Sequence, residues 1–403
     1  MSMRCAVLAV SIACVLFTGC AKNYTRRLGP DEVALRKITD ARKIPDFRPA
    51  YAASKSDPGL VQSIDQSIFY FSHPSSKGYF PYLDVTHDRA VQSLKAFKEL
   101  LATAVTAEDF QRRIVQEFDV YESVGCDDRG TVLYTGYCTP IYEASLKPTA
   151  QFRFPLYRKP ADLVKDERTG LTLGKQTKAG ALVPYPTRAE LEGSGVLVGL
   201  ELVYLKDRLE AYLVHVQGSA KLKLIDGGEL TVGYEAKNGR EYKSLGQMLA
   251  QDRKINPNKV SLTAIKEYFK KHPQDLDKYL PRNESFIFFQ RADGGPYGSL
   301  GVPVTTIRSI ATDKSGSREI YPRGSLAFIQ TKLPEMGLDG KIDKLPYNGF
   351  ILDQDTGGAI RSAGRADVYM GVGPRAEMLA GHTVAEGRIY YLFVKGPLID
   401  RPM

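Results

Sequence analysis

From Phe118 onward the chain breaks into short apolar runs separated by Gly, Asp and Pro, a pattern that restricts this part to small strands joined by tight turns. Thr131 to Tyr134, Val196 to Leu205, Tyr212 to Val216 and Lys221 to Ile225 read as strands. Asp226-Gly227-Gly228, set before the run Leu230 to Tyr234, reads as a hairpin turn because its central residues must tolerate positive φ. Helical spacing returns over Ser244 to Asp252 and Ser261 to Tyr279, with Ser261 as N-cap of the second helix. Strands resume at Ser285 to Gln290, Val304 to Ala311, Ser325 to Gln330, Gly349 to Asp353 and Ile389 to Val394. Many short strands around one helical excursion favour β-barrels over a doubly wound α/β sheet, and two barrels are expected.

Before Phe118 the period changes. Val91, Leu94, Phe97, Leu100 and Leu101 fall on one helical face, and His73-Pro74 separates two such helices. Residues 21–60 scatter charges and prolines among few large apolar side chains and read as a weakly ordered tether. At the very start, Arg4 precedes an apolar stretch from Cys5 to Phe17, the form of a secretion signal. Phe17-Thr18-Gly19-Cys20 resembles a bacterial lipobox, which implies removal of residues 1–19, lipidation of Cys20 and a tether over 20–60. Ala21 after the cysteine resembles the sorting signal for the outer membrane, on its periplasmic face. Cys5 and Cys14 leave with the leader, so Cys126 and Cys138 are expected to form a disulfide in an oxidising compartment. The net charge of +9 loses Arg4 with the leader, leaving +8, which suits an anionic partner. An exported chain meets envelope polyanions, and no basic-aromatic motif points to nucleic acid.

Catalytic options narrow by exclusion. His73, His87, His215, His272 and His382 are dispersed and none has a metal-ligand spacing, so no metal or other cofactor is implied. No Gly-x-Ser-x-Gly elbow occurs, and Gly371-Val372-Gly373 lacks the rest of a dinucleotide loop. Carboxylates remain, and Asp355 stands out: it ends an apolar run and precedes Gly357 and Gly358, where backbone can approach a ligand closely. If that strand continues regularly, Asp353 and Asp355 point to the same side, as a pair of glycosidase carboxyls would. Tyr134, Tyr137 and Tyr142 are candidate sugar platforms.

Six segments in order, Thr135-Gly-Tyr-Cys-Thr-Pro140, Phe154-Pro-Leu-Tyr-Arg158, Tyr185-Pro-Thr-Arg188, Val216-Gln-Gly-Ser219, Lys237-Asn-Gly239 and Asp355-Thr-Gly-Gly-Ala-Ile360, resemble the membrane-bound lytic murein transglycosylase A (MltA) family. The resemblance spans roughly Phe118 to Lys395. It implies a mainly β chain: a double-psi β-barrel from residues 61–148 and 281–403, with its three-aspartate (3D) region at about 300–395 and an N-terminal helical segment. A second, smaller barrel at 149–280 interrupts it and forms the other wall of a glycan groove. It also implies non-hydrolytic cleavage of the β-1,4 bond between N-acetylmuramic acid and N-acetylglucosamine, with 1,6-anhydromuramoyl ends. Asp355 would be the single acid and base, held protonated by burial or by the charge of Asp353 or Asp367. Asp313, Asp353 and Asp367 would be supporting acids. Thr135, Gly136, Tyr137, Gln217, Gly218, Ser219, Lys237, Asn238, Gly357 and Gly358 would bind substrate. Peptidoglycan glycan strands and, through the anchor, outer-membrane lipid are the implied partners, with cell-wall synthases as candidate protein partners. Two alternatives stay open: a non-catalytic peptidoglycan-binding lipoprotein, and a hydrolytic muramidase that uses two carboxylates with water.

Overall fold

The computed structural model describes residues 22–29, 31–166, 172–257, 260–314 and 320–396. The leader, Cys20 and the tail after Gly396 lie outside them. The fold is mainly β, with two principal sheets and helices packed at their sides.

The first sheet closes on itself. Val132–Thr139 pairs with Val384–Val394, which pairs with Leu326–Met336, then Ile342–Asp355, Ser309–Ala311 and Arg365–Val372, which returns to Val132–Thr139. Two pairings are parallel, Ser309–Ala311 with Ile342–Asp355 and Arg365–Val372 with Val132–Thr139. This interleaved ring of six strands is the expected double-psi β-barrel. Closure leaves no open edge within the ring, and its wall is packed on both faces, with Ile310, Phe328, Leu352 and Val368 all inaccessible to solvent.

The second sheet runs Ile287–Arg291, Glu229–Lys237, Ser219–Leu224, Ile141–Ser145, Glu201–Leu205 and Phe154–Tyr157. Its core of Leu156, Val203, Leu222, Val232 and Phe289 is separate from that of the first. All of its strands lie between Thr139 and Ser309 of the first barrel, so the chain leaves one barrel, builds the other and returns. Because Ile141–Ser145 and Ile287–Arg291 belong to it, the second sheet begins before residue 149 and ends after 280.

Sequence and structure differ in several elements, among them the run from Val304, of which only Ser309–Ala311 is a strand because Ile307 takes φ 56° before it. Tyr212 to Val216 lies in the helix Arg208–Gln217, started by the Asp207 side chain and ended by Gly218 at φ 78°. Both faces of this helix are buried, Val214 against the sheet and Leu213 against neighbouring helices, so its apolar run loses the periodicity that separates helix from strand. Only Glu201–Leu205 of the run from Val196 is a strand, because Gly195 and Gly199 take positive φ before it. The expected tether is folded over its described part. Leu35–Lys37 adds a strand beside Phe118–Ser123, and Phe47 has no exposed surface. Few apolar residues sufficed there because Ala34, Leu35, Phe47, Ala50 and Leu60 are almost completely buried.

Helices Pro58–Ser72, His87–Thr103 and Ala107–Glu117 brace the outer wall of the barrel. Their aromatic rings converge on one strand: Phe97 and Phe110 meet Phe350 with centroids 4.5 and 5.7 Å apart, and Phe47 stacks on it at 5.7 Å. Phe350 lies on the strand that ends at Asp355, so the helical segment fixes the element carrying the candidate acid. On another side, Pro374–His382 lies so close to Val132–Thr139 that a Cβ at Gly136 would come within 2.8 Å of Ala380 Cα and Thr383 Oγ1. Gly136→Ala should therefore lower stability by about 1–3 kcal/mol, seen as an earlier urea midpoint; an unchanged midpoint would mean that the helix shifts freely.

Candidate functional site

The ladder between Ser309–Ala311 and Ile342–Asp355 contains one extra residue. Ser309 pairs with Leu352, Ile310 with Asp353 and Ala311 with Asp355, leaving Gln354 as a bulge. Neighbours on a strand face opposite ways, so Asp353 takes the side of Ile310 and Asp355 that of Ala311. The expected same-side pair of acids is overturned. Asp353 is fully buried, 2.7 Å from Lys314 Nζ, and accepts hydrogen bonds from the hydroxyls of Tyr391 at 2.7 Å and Thr312 at 2.8 Å. Gln354 is held on both sides: its Oε1 accepts from Ser309 Oγ at 2.6 Å, and its Nε2 donates to the Ser63 carbonyl at 2.8 Å and Ser67 Oγ at 3.0 Å. Both of those serines belong to the helix Pro58–Ser72.

Asp355 keeps partial access to solvent, but protein surrounds it closely. The Ser299 N–H donates to its Oδ1 at 2.7 Å and the Thr356 N–H to the same oxygen at 2.8 Å. The Ser299 loop reaches it only through Gly298, where a Cβ would lie 2.5 Å from the Gln354 carbonyl oxygen. Burial raises the carboxyl from the usual 3.8 to about 6, against the lowering effect of these N–H groups and of the Tyr137 and Ser299 side chains. Loss of hydration therefore outweighs hydrogen bonding. A like charge from Asp353 or Asp367, the other expected cause, is not what raises it: the first lies on the opposite face, and the second is tied up elsewhere.

Register sets the rest of this face. Ala311 pairs with both Asp355 and Asp367, and Asp367 pairs with Thr135. Asp355 and Asp367 thus stand two strand spacings apart, about 10 Å between backbones, with a small alanine between them. Asp367 accepts a hydrogen bond from the Thr135 hydroxyl and lies 3.3 Å from Arg365 Nη2. Two residues beyond Thr135, the partly exposed Tyr137 ring packs on Tyr369 with centroids 5.1 Å apart. The Tyr369 hydroxyl is engaged with Thr139 Oγ1 at 2.9 Å, and Thr139 with Ser219 Oγ at 3.2 Å. Of the three candidate tyrosine platforms only Tyr137 reaches this face, since Tyr134 and Tyr142 are buried in the two cores.

The second sheet faces this row. Gln217 Oε1 accepts from the Cys138 N–H at 3.2 Å, beside Gly218 and Ser219. Gly358 approaches Tyr242, whose Cβ would be 3.4 Å from an added Cβ, while Gly357 remains partly exposed next to it. Lys237 is largely enclosed, and burial and then the Arg361 guanidinium lower its pKa, opposed by Asp313. Asp313 Oδ2 accepts from the Ser362 N–H at 2.6 Å, fixing the loop that follows Asp355. Asn238 is almost inaccessible and its amide is spent on backbone: Nδ2 donates to Pro186 and Glu284 carbonyls at 2.8 Å, and Oδ1 accepts from the Phe286 N–H at 2.9 Å. Sequence reasoning missed Gly298, Ser299, Gln354 and Tyr242, because their contacts are made across distant segments and no local motif marks them.

The expected disulfide is absent. Cys126 and Cys138 are both free and buried. Cys126 pairs with Thr131 just before the strand Val132–Thr139, and Cys138 sits at its far end. Seven residues of extended chain span about 20 Å, beyond the roughly 7 Å Cα limit for a bridge.

A closed barrel interrupted by a second one, with a raised carboxyl at their junction, defines a two-domain enzyme of the lytic transglycosylase class. Residues 133–290 match the MltA specific insert domain and residues 308–393 the 3D domain. The membrane-bound lytic murein transglycosylase A of Vibrio cholerae is 32% identical over 282 residues, 69% of this chain and 70% of that protein. The chain belongs to the membrane-bound lytic murein transglycosylase A family. A lytic murein transglycosylase from Agrobacterium tumefaciens has a similar structure, with a TM-score of 0.71, 26% identity and coverage of 90% of this chain and 98% of the other. Escherichia coli MltA with bound chitohexaose shares the fold at a TM-score of 0.63 and 23% identity, over 93% of this chain and 96% of the other.

A raised carboxyl also predicts a stability signature. The folded protein holds the Asp355 proton more tightly than the unfolded chain, so this contribution is complete below about pH 4 and is lost as pH rises through about 6. Asp355→Asn should be more stable than wild type near pH 7.5, by about 1 kcal/mol after allowance for partial exposure. The two proteins should converge near pH 4, and equal melting temperatures at both pH values would contradict the raised pKa.

Proposed function

We propose that this enzyme cleaves the β-1,4 bond between N-acetylmuramic acid and N-acetylglucosamine in peptidoglycan without water, forming 1,6-anhydromuramoyl ends with Asp355 as acid and then base. The observation that carries this reading is the state of Asp355: one oxygen held by two N–H groups, partial access to solvent, and a pKa raised to about 6. A carboxyl of that kind holds its proton near neutral pH and releases it to a leaving oxygen. As the glycosidic bond breaks, its electron pair stays on O4, which takes the proton from Asp355. The carboxylate then removes the proton of the muramoyl C6 hydroxyl while that oxygen bonds to C1. The nucleophile arrives with the substrate, so effective concentration replaces a positioned water.

The neighbours fit one acid better than two. Asp353 is locked in its buried ion pair, and Asp367 is bound by Thr135 and Arg365. Thr135, Tyr137, Gln217, Lys237, Gly357 and Gly358 line the junction of the two barrels and serve as glycan contacts. Gly136, Asn238 and Asp313 hold the surrounding backbone. Asp367 orients Thr135 rather than the leaving group.

At the membrane, no helix among the described residues is long and apolar enough to cross a bilayer. Cys20 serves as the lipid attachment, with the enzyme on the periplasmic face of the outer membrane. The first described residues already rest on the barrel, with Lys22 Nζ 2.8 Å from Glu386 and the Tyr24 hydroxyl donating to the same carboxylate at 2.5 Å. The anchor therefore holds the catalytic barrel near the lipid surface.

Mass spectrometry of products from purified sacculi tests the reaction. Wild type should release muropeptides with anhydro ends, and Asp355→Asn should lose this release by at least about a thousandfold. Reducing ends would indicate a hydrolase, and anhydro ends from Asp355→Asn would remove the single-acid assignment.

A further inference from the structure

The two oxygens of Asp355 have different surroundings. Oδ1 accepts both backbone N–H groups, from Ser299 and Thr356, which leaves Oδ2 to carry the proton. Beside this carboxyl stands the hydroxyl of Tyr137. That hydroxyl is buried although its ring is partly exposed, and it makes no well-aligned hydrogen bond within the described residues. It lies within hydrogen-bonding reach of the carboxyl, whose charged form it favours. A buried hydroxyl without a well-aligned partner costs about 1–3 kcal/mol, so its placement requires an explanation.

We infer that Tyr137 is a positioning residue for Asp355: its hydroxyl is only loosely engaged while the acid is protonated and donates a full hydrogen bond to Oδ2 once the proton has moved to the leaving oxygen. The carboxylate is then held in place while it collects the proton of the C6 hydroxyl. Tyr137 keeps its own proton throughout, so the balance of the reaction is unchanged. This inference rests on the single-acid reading above and adds to the groove-lining role of the Tyr137 ring.

Among the described residues, the other buried hydroxyls on this face are engaged elsewhere. The Tyr369 hydroxyl is bound to Thr139, and the Thr135 hydroxyl donates to Asp367. Asp367 is ion-paired with Arg365. The strand Ser309–Ala311 offers only Ala311 here, and the second barrel contributes Tyr242, which faces Asp367. The Ser299 hydroxyl lies on an exposed residue near Asp355 and acts in the same direction, but with water as competitor. Burial holds Tyr137 far above the ordinary phenol range, and the Asp355 charge adds to this, which keeps it a donor rather than a base.

The test is the pH profile of kcat/KM on purified glycan strands for wild type, Tyr137→Phe and the protein carrying 3-fluorotyrosine at position 137. Removing the donor disfavours the carboxylate, so Tyr137→Phe should move the basic limb of the profile upward and lower kcat by about ten- to a hundredfold, with KM nearly unchanged. Fluorotyrosine, a stronger donor of the same shape, should move the limb downward. A melting curve like that of wild type confirms that Tyr137→Phe is folded. An unmoved limb in both variants, or a loss confined to KM, would overturn the inference and leave Tyr137 as a substrate contact. Wild type that makes no anhydro ends would instead overturn the reaction on which the inference rests.

Discussion

One extra residue in one strand decides which acid meets the crevice. Gln354 interrupts the ladder between Ile310–Asp353 and Ala311–Asp355, so two acids that a regular strand would present together are sent to opposite faces. The bulge persists because its side chain is bonded to Ser309 within the barrel and to Ser63 and Ser67 on an outer helix. The inner acid meets Lys314, Thr312 and Tyr391, which satisfy a charge that would otherwise be costly to bury. The outer acid meets two backbone N–H groups and little else that is charged.

That separation gives the two carboxyls different chemistry from one dipeptide step. A cation and hydroxyls surround Asp353, an arrangement that stabilises a fixed carboxylate. Around Asp355 burial prevails over hydrogen bonding, an arrangement that keeps a proton available near neutral pH. The N-terminal helices belong to the same mechanism at a distance. Their rings grip Phe350 and their serines hold Gln354, so the strand end cannot drift relative to the loop carrying Ser299.

Much of this was legible in the sequence, for identifiable reasons. Asp226-Gly227-Gly228 announced its hairpin because only residues tolerant of positive φ fit the turn, and both glycines adopt it. Asp355 drew attention because an apolar strand ran into paired glycines, and the ordered segments supplied the family. The bulge was not legible: period-two alternation cannot reveal an extra residue whose cause is a serine pair 287 and 291 positions away. Tyr212 to Val216 misled because burial on both faces erases helical periodicity. The bridge between Cys126 and Cys138 failed because closeness in sequence is lost when the intervening chain is a strand. Ser299 and Tyr242 are set by contacts between distant loops, and no local pattern records such contacts.

The central claim is that burial, with no second carboxylate, holds the Asp355 proton. The most direct measurement is a titration of that carboxyl in the folded wild-type enzyme by carbon-13 NMR, with its resonance assigned by difference from Asp355→Asn. The account predicts a single transition centred near 6. A midpoint in the ordinary aspartate range near 4, or a two-step curve that reports a second coupled carboxyl, would contradict it.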